Sequence, residues 1–246
     1  MFLMGCLGCG LRTPHVRSSI LESQVVYAAQ TGTTYVLNVR KHTPMPKSEL
    51  ADPEFAMDLK ALTQTSYEIA KSKGWWENPR GFAALTLLMQ SEISEALEDY
   101  RNGKRPNQVW YEYPPDIIDS VPVLSSGERG KPCGIPSEIA DVIIRICDFA
   151  GHYDLKLEHM YYLGDHNEFT VLLARANWFI SKAWDVLDYH GLDHHDHRVQ
   201  VGELLSEAIA FLLALCSRYE IDIEAAIKTK TEFNRTRPMR HGGKEF

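Results

Sequence analysis

The spacing of apolar residues is the feature of this sequence that most restricts its fold. From about Pro53 onward, apolar residues return every three or four positions, and Pro or Gly clusters separate the segments. This period is typical of amphipathic helices, and no alternating strand pattern competes with it. The sequence therefore predicts an all-α helical bundle with helices at 54–73, 79–101, 136–153, 167–189, 200–218 and 222–235. The connecting segment at 102–135 is predicted to form a short hairpin or a lid.

The first 50 residues differ in character from the rest. They carry Gly and Cys near their start, and the β-leaning stretch TTYVLNV precedes a Pro-rich segment. We interpret residues 1–50 as an appendage and linker, or as a segment ahead of a true start at Met45 or Met57, and residues 51–246 as the functional domain. The pair Cys6 and Cys9 has no second Cys pair to complete a zinc site, so a metal ribbon is not expected.

Composition and charge exclude several classes of protein. A formal net charge of −7 and a pI near 5.8 argue against a protein that binds nucleic-acid backbones, because that needs clustered Lys and Arg. The five scattered cysteines suit a reducing compartment. No apolar run approaches the roughly 18 residues of a membrane-spanning helix. We expect a cytoplasmic protein that binds neither nucleic acid nor membrane.

Two pairs of acids stand out in neighbouring predicted helices. Glu92 and Glu95 are three residues apart, which puts both carboxylates on one helix face, and Glu138 and Asp141 repeat the spacing in the next helix. Apolar stripes run beside them, so the acids are predicted to border a packing face: Leu88, Ile93, Leu97, Ile139, Ile143 and Ile146.

Four carboxylates converging at such a border would repel one another and raise their pKa values unless a cation neutralised them. Oxygen ligands suit a hard cation, so we predict Mg²⁺, with Mn²⁺ as a substitute. For either pair alone, a solvated acidic helix face is the better interpretation. A di-iron centre is disfavoured because the chain has no Glu-x-x-His motif.

A basic stripe lies near the C-terminus. Lys230, Asn234 and Arg237 fall at i, i+4 and i+7, on one face of the last long predicted helix. They are candidate donors to phosphate oxygens. The alternative is a basic turn that complements the helix dipole.

Aromatic and histidine clusters are the remaining candidates. Trp75 and Trp76 precede the first acidic helix and are candidates for stacking on a base, with core or interface packing as an equal alternative. Four histidines crowd one predicted turn, which we interpret as a polar surface turn and not a metal site: His190, His194, His195 and His197.

The helical region also aligns with itself. The segment from Ser137 aligns with the segment from Ser206, and Ile93 aligns with Ile180. Glu138 then falls opposite Glu207, while the other three acids fall opposite non-acidic residues: Glu92, Glu95 and Asp141 opposite Phe179, Lys182 and Ala210. This alignment suggests a tandem of two-helix units, of which only the first could bind metal. Chance similarity between amphipathic helices is the alternative.

Three blocks of the sequence resemble the MazG-like branch of the all-α nucleoside triphosphate pyrophosphatases, a superfamily that includes the dimeric dUTPases. The blocks are GWWENPRGFAALTLLMQSEISEALEDYRNG, GKPCGIPSEIADVIIRICDFAG and EFNRTRPMRHGGK. The resemblance implies a helical bundle that hydrolyses a nucleoside triphosphate to the monophosphate and pyrophosphate, with Mg²⁺ on the four acids. It also implies that Lys230, Asn234 and Arg237 contact the phosphates, and that the protein is a homodimer or higher homo-oligomer.

We expect a cation-activated water to attack the α-phosphorus in line, while Lys230 and Arg237 stabilise the leaving pyrophosphate. One glutamate, with Glu95 as the example, would accept the proton of the water. Two alternatives stay open at this point. The protein could be a dedicated dUTPase or dCTPase, or a non-catalytic bundle that senses nucleotides.

Overall fold

The structure is a computed structural model that describes residues 25–28, 34–37, 57–78, 80–113, 130–158, 160 and 168–243. Helices dominate the described part of the chain, which confirms the predicted all-α class. In chain order the elements are β1 (Val25–Ala28), β2 (Thr34–Leu37), α1 (Leu59–Ser72), α2 (Phe82–Arg101), β3 (Trp110–Glu112), β4 (Lys131–Cys133), α3 (Ile135–His152), α4 (Phe169–His190), α5 (His195–Arg218) and α6 (Ile223–Thr236), followed by a turn at Arg240–Gly243.

The predicted appendage contains two short strands among the described residues. β1 and β2 pair antiparallel, with Val25 opposite Leu37 and Ala28 opposite Thr34. The rest of residues 1–50, including Cys6 and Cys9, lies outside the described residues. So do residues 54–56, where the first helix was predicted to begin. Helix α1 begins at Leu59, and the side chain of Asp58 caps it by accepting a hydrogen bond of 2.9 Å from the Ala61 amide.

The predicted hairpin between the acidic helices is present. β3 pairs antiparallel with β4, with Trp110 opposite Cys133 and Glu112 opposite Lys131, and residues 114–129 lie outside the described residues. Gly134 follows β4 with a φ of 107°, and a Cβ there would lie 2.4 Å from the Gln108 carbonyl oxygen. Only glycine fits this backbone. The hairpin thereby fixes where α3 begins and where its first turn lies.

Helix α3 is the centre of the bundle. α1, α2 and α6 pack against it, and five of its apolar residues are fully buried: Ile135, Ile139, Val142, Ile143 and Ile146. At Gly151 a Cβ would lie 2.6 Å from the Tyr67 Cβ, so the glycine permits the close approach of α1. Leu97 is an exception to the predicted apolar stripe of α2, because 42% of it is exposed.

Helices α4 and α5 pack against each other as a pair. The prediction placed the start of α5 at residue 200, but the helix begins at His195. The first turn is exposed and needs no apolar residues, so the apolar period did not reveal it. His190 ends α4, and its ring stacks on that of His197 with the centroids 4.3 Å apart. The histidines therefore join two helix ends instead of lying in a turn.

Helix α5 is long and apolar enough to cross a membrane, judged by length and composition alone. An 18-residue window of it has a mean hydropathy of 1.7, so the expectation that no segment reaches this length is wrong. Of that window, 61% is buried inside the protein. Packing in the bundle core accounts for the apolar composition of α5, since core helices pass the same test.

Candidate metal and phosphate site

Three of the four predicted acids meet between α2 and α3. Glu92, Glu95 and Glu138 each offer a carboxylate oxygen, and these oxygens all lie within 4.8 Å of one another. Glu92 and Glu138 are buried, whereas Glu95 is exposed at the edge. Among the Asp, Glu, His and Cys side chains of the described residues, these three glutamates are the ones that lie close enough together to hold a metal ion. The four histidines at the α4–α5 junction do not form such a group.

Asp141, the fourth predicted ligand, has a different partner. Its Oδ2 lies 2.6 Å from the Lys230 Nζ in an ion pair, and the Lys230 side chain is only 3% exposed. Asp141 lines the same cleft as the three glutamates but is not part of their cluster. The prediction of Asp141 as a fourth ligand of that cluster is therefore corrected, since Asp141 neutralises and orients a buried lysine instead.

Arg145 neutralises Glu92. Its Nε and Nη2 donate to the same oxygen of Glu92, Oε1, at 2.9 Å and 2.6 Å. Arg145 is not among the residues predicted from the sequence. The signal was present, because the residue follows Glu138 by seven positions and Asp141 by four and so lies on the same face of α3.

Burial dominates the protonation of the glutamates. Desolvation raises the pKa of Glu138 to about 8, although nearby Lys230 acts in the opposite direction. Desolvation also raises the pKa of Glu92, against the effect of Arg145. Both shifts disfavour the ionised form, and a bound divalent cation would favour it. Buried carboxylates with these properties fit an oxygen-ligated hard cation.

The basic residues of α6 line the same cleft. Burial lowers the pKa of Lys230, but Asp141 and Glu138 outweigh that effect and hold the pKa above its ordinary value. Lys230 therefore remains a cation. Burial lowers the pKa of Arg237, and Asp141 acts against this shift. Asn234 lines the cleft between them, so the three residues of the predicted basic stripe come together.

The cleft as a whole is more basic than the chain. It is lined by six Lys or Arg side chains and five Asp or Glu side chains, whereas the chain carries a net charge of −7. The basic residues are Lys73, Arg80, Lys131, Arg145, Lys230 and Arg237, and the acidic residues are Glu92, Glu95, Glu138, Asp141 and Asp148. A cleft with cations around a small acidic cluster suits a polyanionic ligand that arrives with a divalent cation.

The two tryptophans occupy different positions. Trp75 lines the cleft, and the edge of its ring meets His241 with the centroids 5.0 Å apart. Trp76 does not line the cleft. Its face stacks on His152 at a centroid distance of 3.7 Å, and its Nε1 donates to Asp148 Oδ1 at 2.7 Å. Trp75 is thus the tryptophan positioned to meet a ligand.

Comparisons of the chain with protein-family models, with curated proteins and with solved structures return no match. The family resemblance of the three sequence blocks stays a prediction.

Proposed function

We propose that the protein is a MazG-like, Mg²⁺-dependent hydrolase that converts a nucleoside triphosphate to the monophosphate and pyrophosphate. One observation supports this most: Glu92, Glu95 and Glu138 meet within 4.8 Å in a cleft whose remaining walls are rich in Lys and Arg. The acids offer ligands for a hard cation, and the basic residues offer contacts for phosphate oxygens. Both are required for phosphoryl transfer.

Glu92, Glu95 and Glu138 are the residues that would hold the cation. Bound Mg²⁺ would supply neutralisation of phosphate charge and would lower the pKa of a coordinated water. Arg145 shares this neutralising role at Glu92, to which it donates at 2.6 Å. Of the three acids Glu95 is the exposed one, so we assign to it the acceptance of the proton from the attacking water.

Lys230 and Arg237 act on the leaving group in this proposal. Asp141 holds the Lys230 ammonium at 2.6 Å, so the ammonium needs little reorganisation when charge develops on pyrophosphate. Arg237 offers a planar fork of donors that suits phosphate oxygens. Asn234 adds an amide between the two. Because the Lys230 ammonium is held in place before the reaction, it stabilises the transition state more than a solvated ammonium would in water.

The proposed tandem also has support in the packing. α2 packs on α3 and α4 packs on α5, so the two aligned sequence segments each form a helix pair. We propose that α4 and α5 are the degenerate copy of α2 and α3. At the aligned positions, Phe179 and Ala210 stand where the first pair has Glu92 and Asp141.

The activity can be tested with a panel of standard and modified NTPs and dNTPs in the presence of Mg²⁺. The expected products are the nucleoside monophosphate and pyrophosphate in equal amounts, and a chelator should stop their formation. Glu138→Gln should remove the activity, whereas Glu207→Gln, the aligned change in the second pair, is the matched control. Nucleotide binding without hydrolysis of any substrate would contradict the proposal and favour a nucleotide sensor.

A further inference from the structure

Arg80 has buried donors without partners. Its side chain is 9% exposed, and both Nε and Nη2 are enclosed without a hydrogen-bond partner. The nearest acid is Asp148, whose Oδ2 lies 3.8 Å from Nη2, beyond hydrogen-bond distance. The other oxygen of Asp148 accepts from Trp76. The contact with Asp148 is therefore an ion pair and not a hydrogen bond. Buried guanidinium donors are normally hydrogen-bonded, so two donors without a hydrogen-bond partner in a cleft wall indicate a site for a ligand.

The guanidinium is held in a fixed orientation by aromatic rings. Its Cζ lies 4.5 Å from the centre of the Trp76 ring and 5.5 Å from that of Trp75. Trp76 is in turn stacked on His152. Nε and Nη2 form one edge of a planar fork, so their N–H bonds point the same way. A ligand with two adjacent acceptor atoms fits this edge.

The surroundings of Arg80 differ from those of the acidic cluster. Ser66 lines the same cleft, is 4% exposed and has a hydroxyl group without a partner. Three apolar side chains also line the cleft: Ile69, Ala70 and Ile144. A few polar groups set among apolar and aromatic walls are typical of a site for a flat organic ring.

The Arg80 region and the acidic cluster lie at different positions along α3. Glu138 lies in the first turn of α3, and Asp148, beside Arg80, lies ten residues further along. At a rise of 1.5 Å per residue, the two positions are about 15 Å apart. The cleft therefore joins an end that suits phosphates to an end that suits a ring with acceptors. A nucleotide has this composition, with its sugar as the spacer.

We propose that the Arg80 end of the cleft binds the base of the nucleotide, and that Arg80 selects bases with two adjacent hydrogen-bond acceptors. This inference rests on the proposed function and adds the substrate class to it. Guanine presents O6 and N7 side by side, and cytosine presents N3 and O2. Adenine and uracil place an N–H donor beside their exposed acceptors, so that a second arginine N–H has no acceptor. Ser66 supplies a further hydroxyl contact.

The test is equilibrium binding of GMP, CMP, AMP and UMP, measured by calorimetry with a chelator present. Wild-type protein should bind GMP or CMP at least about tenfold more tightly than AMP and UMP, since a bidentate arginine contact discriminates by this order. The separate measurements with GMP and CMP show which of the two bases binds more tightly. Equal affinity for all four nucleotides, or no binding at millimolar concentration, would overturn the inference.

Two variants separate base selection from simple charge attraction. Arg80→Lys keeps the charge but lacks the fork, so the preference should fall below about threefold while AMP affinity stays nearly constant. Lys73→Met removes a cation from the same cleft and should weaken all four nucleotides alike. Ser66→Ala is a second, conservative change that should weaken the favoured base severalfold. A preference that survives Arg80→Lys contradicts the proposal.

Failure of this inference and failure of the proposed function give different results. Mononucleotide binding needs no cation and no turnover. Hydrolysis of all NTPs at similar rates, with equal mononucleotide affinities, would reject base selection and leave the hydrolase intact. Selective binding of GMP or CMP without any hydrolysis would reject the hydrolase and leave the base site.

Discussion

The two helix pairs of the bundle, α2–α3 and α4–α5, pack with different kinds of side chain. Where α2 and α3 bring Glu92 and Asp141, the aligned positions of α4 and α5 carry Phe179 and Ala210. Phe179 stacks on Phe211 with the ring centroids 5.5 Å apart, and Ala210 is 2% exposed. The α4–α5 pair therefore closes with apolar contacts, which stabilise the fold.

The α2–α3 pair stays open and charged. Its buried carboxylates require Arg145 and Lys230 as internal counter-charges, and the desolvation of such groups opposes folding. The difference shows that the acids of the first pair are not needed to pack two helices of this type. Their presence is best explained by binding, and the same contrast gives four tests.

The largest expected effect is on turnover. Glu92→Gln or Asp141→Asn should lower kcat by roughly 10³-fold or more, because each change removes charge at a site where electrostatics dominates. Circular dichroism should show an unchanged helical protein. Glu207→Gln, in the second pair, should alter the rate by less than about twofold. Comparable losses in all three variants would show that the two pairs do not differ in function.

The second test introduces an acid into the apolar pair. Ala210→Asp places a carboxylate at the position aligned with Asp141, at a residue that is 2% exposed. An unpaired buried charge costs about 3–5 kcal/mol, so urea unfolding should show a loss of this size. Ala210→Ser is the matched control and should cost much less. A loss below about 1 kcal/mol for Ala210→Asp would mean that this pair tolerates charge.

The third test uses pH. Folding raises the pKa of Glu138 to about 8, from an ordinary value near 4.3, so the folded protein holds this proton where the unfolded chain has lost it. Stability without a divalent cation should therefore fall as pH rises toward 8, by up to about 1.4 kcal/mol per pH unit. Burial also raises the pKa of Asp148, to about 7, so the contribution of Asp148 to this decline in stability ends at a lower pH than that of Glu138.

Between pH 7 and 8 the contribution of Glu138 continues while that of Asp148 declines. Glu138→Gln should flatten the decline in that range, measured by urea unfolding with a chelator, and Mg²⁺ should flatten it in the wild type. Glu207→Gln should leave the slope unchanged. If stability rises with pH between 7 and 8, Glu138 is not the buried acid that the structure describes.

The smallest effect is expected at Lys182, the residue aligned with Glu95. Lys182 pairs with Asp185 at 2.9 Å, and both side chains are about half exposed. Lys182→Glu should change the free energy of unfolding by less than about 1 kcal/mol, because exposed ion pairs contribute little. The hydrolysis rate should stay constant. A clear gain in Mg²⁺ affinity would instead show that the second pair retains part of a metal site.

The sequence predicted the helical class. The predicted acids and the predicted basic residues line one cleft, because their spacing places each set on one helix face. Periodicity could not predict the ion pair between Asp141 and Lys230, since it joins residues from different helices. It also missed Arg80, which lies in the loop between α1 and α2, where no helical spacing marks its direction. The exposed first turn of α5 escaped detection because it lacks apolar residues.

The most direct measurement of the central claim is the position of an oxygen label after hydrolysis. With a nucleoside triphosphate, Mg²⁺ and ¹⁸O-labelled water, attack at the α-phosphorus places the label in the monophosphate, and pyrophosphate leaves unlabelled. The cluster of Glu92, Glu95 and Glu138, with Lys230 and Arg237 beside it, predicts this result. Label in orthophosphate as the first product, or in pyrophosphate, would contradict the account.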